Sequence, residues 1–372
     1  MSDYNLGEKM DTIINDSVKE TKPQLIPRLT AELTDTLYRP MWVDKAGDWY
    51  CVAVEDAHVS SDKGDIWSQV MAVGSNVSTM IVSDTGRLII GYNDGNVKVS
   101  DEARTTLTTA YTFPNGVMSN SYGHSKHNNI ILISSYGSGL DEQQLIMSVD
   151  DGATWEVIAK TTPQSGIEPH FHDVAFDPFA NRILISLGDI HKGVNELWYS
   201  DDFGVNWVKL DFMQEDYAFQ PTSIIPTHAG VFFGSDSGPD GIAFWERPRG
   251  YTQPPITVDS IKPHYILFDE ELSMRHVARR GWTTVDYGDG KPIYVFAIGN
   301  ASGSIGRARI LTSIDGINFS EIFLGKLRTQ LINLVANADG TIAGRYIEVD
   351  ENLTVTFEGM IKLKIPVAQL PQ

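Results

Sequence analysis

An all-β ring, a β-propeller of four-stranded antiparallel blades, is the architecture this sequence predicts, and three observations carry it. From Met41 onward, short runs rich in Val, Ile, Thr, Tyr and Phe alternate with clusters of Gly, Asn, Asp and Ser, as in many antiparallel strands joined by tight turns. An octet with Ser, Asp, Gly and Trp at fixed offsets recurs at Ser60, Asp62, Gly64 and Trp67, at Ser148, Asp150, Gly152 and Trp155, and at Ser200, Asp202, Gly204 and Trp207. Seven almost wholly apolar stretches, 49–54, 87–92, 129–134, 182–187, 230–234, 292–298 and 341–349, punctuate the chain. A strand apolar on both faces is one sandwiched between neighbouring blades.

Residues 1–37 precede this pattern and differ from it. Leu6, Met10, Ile13, Ile14 and Val18 fall at helical spacing, Pro23 and Pro27 break the run, and Leu29, Leu33 and Leu37 form a second short stripe. Amphipathic pieces this short are unstable alone and need a surface for their apolar faces. The reading is a helical docking arm over 1–37, the alternative being a helix that plugs the protein's own body. Over 38–372, blades begin near Met41, Val77, Val117, His170, Pro221, Met274 and Gln330. Seven units fill the chain, and the alternative is a six-bladed ring with Gln330 onward as a tail or closing strand. The Pro-rich stretch 247–271 reads as an excursion loop.

In the octet, the Asp carboxylate and Ser hydroxyl accept loop N–H groups, Gly supplies a positive φ, and the aromatic ring packs under the turn. This is a folding staple between the outer two strands of a blade, with no catalytic role. A copy one residue shorter stands at Ser313, Asp315 and Phe319, and an eroded one at Ser100, Asp101 and Glu102. The spacings of the octet aromatics are whole multiples of one blade-length repeat. On these residues, and over 41–372, the chain resembles the Asp-box (BNR-repeat) β-propellers. That superfamily includes sialidases, sortilin-like receptors, photosystem assembly factors and many phage virion proteins, so the resemblance implies a fold without choosing a function.

The chain has 372 residues, 29 Lys and Arg against 48 Asp and Glu, and a net charge of −19. Such a charge repels phosphate backbones and anionic membrane surfaces, so no nucleic-acid partner is expected. Apolar runs such as 130–133 and 294–298 fall well short of the roughly 20 residues that span a bilayer, so no membrane insertion is expected. Cys51 is the single cysteine, which excludes an intrachain disulfide and a cysteine-based zinc site. The opening Met1-Ser2-Asp3 has neither a basic nor an apolar leader region, which points to synthesis and folding in a cytoplasm. No cofactor is expected.

Candidate chemistry is sparse. Tyr38-Arg39-Pro40 is similar to the sialidase motif that brings the first substrate-binding arginine, without its Ile. Arg275, Arg279, Arg280, Arg307, Arg309 and Arg345 stand in no matching context, and Tyr346 has no evident Glu partner, so no catalytic residue is assigned. His170 and His172 would share one face of a strand. They could be a zinc pair awaiting a third ligand from His124, His127, His191 or Asp189, or a polar lining of the central channel, and no metal is assigned. Glu55, Asp56, Asp94, Asp189 and Asp236 end second strands, as a cation or sugar-hydroxyl rim or as plain turn chemistry. Arg39, His170, His172, Asp189 and Asp236 therefore form the candidate ligand set. Trp198, Tyr199, Trp245 and Trp282 could stack on sugars or pack between blades.

The function these features suggest is that of a structural virion protein of a tailed bacteriophage, at the neck, capsid or a tail appendage. It is expected to be oligomeric in the assembly, to dock on other virion proteins through the arm, and to offer a surface for host glycan. The acidic, disulfide-free composition, the arm and the lack of a leader favour this, since phage proteins leave by lysis. The alternative is a glycan-binding or sialidase-like glycan-cleaving enzyme.

Overall fold

The computed structural model describes residues 28–137, 141–162, 170–189, 194–212, 219–235, 241–266, 276–277, 282–285, 292–300 and 307–366. Their strands form seven antiparallel sheets, and six of these take consecutive strands in chain order. The first blade is Trp42–Val43, Trp49–Ala53, Asp56–Ser60 and Ser68–Ala72. The second is Val77–Val82, Leu88–Tyr92, Asn96–Ser100 and Leu107–Thr112. Met118–His127, Ile130–Tyr136, Gln144–Ser148 and Glu156–Lys160 make the third. The fourth is His170–Asp177, Arg182–Asp189, Val194–Ser200 and Val208–Asp211, and the fifth Pro221–Thr227, Gly230–Ser235, Gly241–Glu246 and Ile261–Ile266. In the sixth, His276–Val277 and Trp282–Val285 both pair with Ile293–Asn300, followed by Arg309–Ser313 and Ser320–Leu324. The sheet count excludes the six-bladed alternative.

The seventh blade corrects the reading of the arm. Thr329–Ala336, Thr341–Val349 and Val355–Lys364 supply its three inner strands, and its outermost strand is Glu32–Thr34 from the other end of the chain. Glu32, Leu33 and Thr34 pair with Lys362, Ile361 and Met360. The expected second helical stripe is therefore extended chain: Leu29 packs on the core between the sixth and seventh blades, whereas Leu33 and Leu37 are exposed. A free edge offers this segment backbone partners that a lone helical turn could not find, and tertiary pairing overrides local spacing. Leu6, Met10, Ile13, Ile14 and Val18 lie outside the described residues. Within the stretch 247–271 read as an excursion loop, Ile261–Ile266 is instead the fifth blade's outer strand, paired with Gly241–Trp245.

Seven apolar layers, one at each blade interface, form the core among the described residues. Ile81, Ile89 and Val97 of the second blade meet Ile131, Ile133 and Ile146 of the third, for example. Val295 and Ile310 of the sixth meet Leu331, Ile342 and Ile361 of the seventh. Trp49 of the first meets Val335, Ala343 and Met360 of the seventh, closing the ring. The second strands supply most of these contacts because both their faces are covered: Leu88–Tyr92 and Gly230–Ser235 are buried throughout. Trp198, Tyr199 and Trp245 belong to the same layers and are buried, so they are packing residues with no face left for a sugar. Cys51 is buried too, and burial pushes its thiol up to about 12.

The octets form the turns between third and fourth strands. Ser60 Oγ donates to Asp62 Oδ1 at 2.7 Å and accepts from the Gly64 N–H at 2.8 Å, while Asp62 accepts from the Ile66 N–H at 2.8 Å. The same bonds recur at Ser148, Asp150, Gly152 and Thr154, and at Ser200, Asp202, Gly204 and Asn206. Gly64, Gly152 and Gly204 take φ of +89°, +87° and +90°. The short copy keeps Ser313 on Asp315 at 3.2 Å, and in the eroded copy Asp101 accepts from Thr105 and Thr106 N–H.

The aromatic rings reach further than their own turn. Trp67, Trp155, Trp207 and Phe319 are partly buried, each against a layer shared with the preceding blade, and Trp207 donates to the third blade's Ile158 carbonyl at 2.9 Å. The staple thus acts between blades as well as within one.

Candidate functional site

Alternating strand direction places the described first-to-second and third-to-fourth turns on one face of the ring. Three of the former share one build. The turns beginning at Asp44, Ser83 and Asn337 each close with an N–H from Gly47, Gly86 or Gly340 onto the carbonyl three residues earlier. Those glycines sit at φ +87°, +87° and +86°, a region that glycine enters without a Cβ penalty. The turn tips carry Lys45, Asp84 and Asp339.

There they border a mouth of about 840 Å³, with Lys63, Lys126 and Thr284 in its wall. Each aspartate is held by two lysines. Asp84 binds Lys45 at 2.5 Å and also Lys126, and Asp339 binds Lys63 at 2.5 Å and Lys364 at 3.2 Å. Asp84 is partly buried, which alone would raise its carboxyl, but hydrogen bonds from Lys126 and Lys45 hold it below the usual range. Asp339 is held low in the same way by Lys63 and the Thr341 N–H. Behind the mouth lies a cavity of about 280 Å³, lined by innermost strands of five blades, including Trp42, His124, Asp173, Trp282 and Asn333.

The expected ligand set does not converge. Arg39 binds Glu358 of the seventh blade at 2.9 Å, and Arg345 holds the same carboxylate, with Nε at 2.6 Å. His170 and His172 do share a face, with ring centroids 6.5 Å apart, but in the fourth blade, away from Arg39. His170 stacks on Tyr136 of the third blade at 4.8 Å, and His172 Nδ1 lies 3.3 Å from the Pro221 carbonyl of the fifth. Asp189 ends its strand as expected, and Asp236 lies outside the described residues. No three His, Cys, Asp or Glu side chains are grouped to hold a metal among the described residues. Arg309 is paired with Glu321 at 2.5 Å. Tyr346 is buried, and burial followed by the nearby Glu348 pushes its phenol up to about 12.

Sequence reasoning missed the lysine and aspartate mouth and Asn333. The recurrence of Asp, Ser or Asn three residues before Gly, directly ahead of each apolar second strand at 44–47, 83–86 and 337–340, was a signal that could have found the mouth.

Fold and site together define a seven-bladed β-propeller whose axial cavity opens on the face of the octet turns. The chain belongs to the DUF6242 beta propeller domain family, which matches residues 20–239. No curated protein matches it. Among solved structures it is similar to an oligogalacturonate lyase in complex with manganese, with a TM-score of 0.56 and 10% identity over 93% of this chain and 93% of that one. It is also similar to YCF48 bound to D1 peptide, at 0.53 and 10% over 91% and 97%. BBS1N in complex with ARL6DN follows at 0.52 and 11% over 94% and 98%. At such identities the likeness is one of fold.

Proposed function

We propose that this protein is a structural component of a tailed-phage virion, an Asp-box propeller attached to other virion proteins through the segment before Arg28. The observation that carries the reading is the origin of the closing strand. Glu32–Thr34 is part of the ring, with Arg28 paired to Glu321 and the Leu29 N–H bonded to the Ile322 carbonyl. The described chain thus begins at Arg28 against the outer strand of the sixth blade, and the amphipathic pattern from Leu6 to Val18, which precedes it in sequence, supports an apolar face for a partner. The octets with their repeated bonds support the Asp-box assignment. A host-glycan surface is the second part of the reading, supported by the axial cavity. A sialidase-like enzyme is the weaker alternative, because Glu358 already occupies Arg39 and Arg345 and burial withholds the Tyr346 phenol.

The test uses epitope-tagged full-length protein and a variant lacking residues 1–27, expressed in the source strain during particle production. Full-length protein is expected to band with purified particles, and the truncated one, equally folded by circular dichroism, to stay with free protein. Full-length protein absent from every particle fraction, or truncated protein incorporated equally well, overturns the attachment reading.

A further inference from the structure

The charged groups of the axial cavity are already engaged. Lys126 is paired with Asp84, Asp173 accepts the N–H groups of Val174 and Ile224 at 2.8 and 2.7 Å, and His124 is bonded to Thr79. What remains toward the cavity is neutral: the part of the half-buried Trp42 and Trp282 side chains not packed on the blade layers, with Thr284 and Asn333 beside them. None of these four side chains makes a hydrogen bond among the described residues.

Asn333 is held there by its backbone. It sits at φ +55°, in the left-handed region, where the register of its strand shifts between Ile332 and Val335. A bulge of this kind re-aims a side chain, and backbone in sparsely populated regions gathers at binding sites.

Partly exposed indoles beside uncharged donors and acceptors, with no unpaired charge, match the chemistry of a sugar ring. Its C–H face packs on the aromatic, and its hydroxyls exchange hydrogen bonds with amide and hydroxyl groups. A cavity of about 280 Å³ is at the small end for ligand pockets and holds a single ring with its substituents. We propose that this cavity binds one neutral sugar residue, the terminal unit of a glycan, entering through the lysine and aspartate mouth. The inference rests on the glycan part of the reading above and not on particle attachment, so the two tests fail separately.

The experiment is a titration of full-length protein, read by intrinsic tryptophan fluorescence, with glucose, galactose, N-acetylglucosamine and rhamnose. N-acetylneuraminic acid serves as the charged comparison and glycerol as the acyclic one. A saturable response to at least one neutral sugar is expected, weaker by about tenfold in Asn333→Gly, as for one or two lost hydrogen bonds. Glycine accepts the left-handed backbone, so this variant should keep the parent melting temperature, which separates loss of binding from loss of fold. Trp282→Phe, which keeps an aromatic face and removes the indole N–H, should weaken the same response. The proposal fails if no neutral sugar gives saturation up to about 100 mM, if Asn333→Gly binds as the parent does, or if N-acetylneuraminic acid or glycerol binds more tightly than all four.

Discussion

Gly152 shows how one residue couples two blades. At φ +87° it adopts the conformation that its octet turn requires, and a Cβ there would stand 2.7 Å from Ile89 Cδ1 in the preceding blade. Gly250 has nearly the same φ, +85°, with nothing within 4 Å of an added Cβ. Alanine at Gly250 should therefore cost only the backbone term, about 1 kcal/mol. At Gly152 the same change should cost about 2–3 kcal/mol, because crowding of the interblade layer is added. Urea unfolding of the two variants checks this, and equal losses would mean that the octet glycine does not wedge against its neighbour. The glycine's place in the octet was legible from its spacing to Ser148, Asp150 and Trp155. Its contact with Ile89 was not, because the two lie in different repeats and only ring packing brings them together.

At the scale of the element, the strand Glu32–Thr34 decides how the ring closes. It covers part of the edge of Val355–Lys364 with three residue pairs, and Arg39 on Glu358 and Leu29 on the neighbouring layer extend its hold. A variant lacking residues 1–27 should unfold like the parent. One lacking 1–37 loses the strand, bares an edge prone to pairing with other chains, and should melt several degrees lower with concentration-dependent aggregation. Indistinguishable melting curves for the two truncations would show that closure does not depend on this strand. The other elements were more readable: every apolar stretch recognised in the sequence is a second strand, since burial on both faces leaves an unbroken apolar run. Glu32–Thr34 left no such mark, being an edge strand with most of its surface in water.

For the whole molecule, the repeated turn carboxylates act together on its response to acid. The Ile66 N–H, with Ser60 behind it, keeps Asp62 below the ordinary range, and the Asn206 N–H does the same for Asp202. The Thr105 hydroxyl, followed by the Thr105 N–H, brings Asp101 down to about 2. A carboxyl that is more acidic in the folded state favours folding wherever it is ionised. Its contribution is complete above the unfolded value near 4 and is lost as pH falls through the folded value. The turns' share of the urea midpoint should thus be constant above about pH 5 and be lost between about pH 4 and 2. Asp101→Asn should lower the plateau and reduce the fall. All three groups are solvent-exposed, so each contribution is small and the summed slope is the quantity to measure. A midpoint unchanged from pH 5 to pH 2 would mean that these turns lend no ionised-state stability.

The sequence by itself determined the all-β class of the body, the blade starts to within a residue or two and the turn chemistry, whereas the choice of seven blades over six came from the sheets. The first three follow from local patterns: unbroken apolar runs, residues that tolerate a positive φ, and side chains that bond to their own turn. Only the tertiary structure decided which residues meet at the axis, that Arg39 and Arg345 share Glu358, that Trp198 and Trp245 are packing, and that the chain's beginning completes its last blade. Those contacts join residues as far apart as Trp49 and Asn337, whose side chains are hydrogen-bonded. Their partners are set by closing a ring, and no neighbouring stretch of sequence records that geometry.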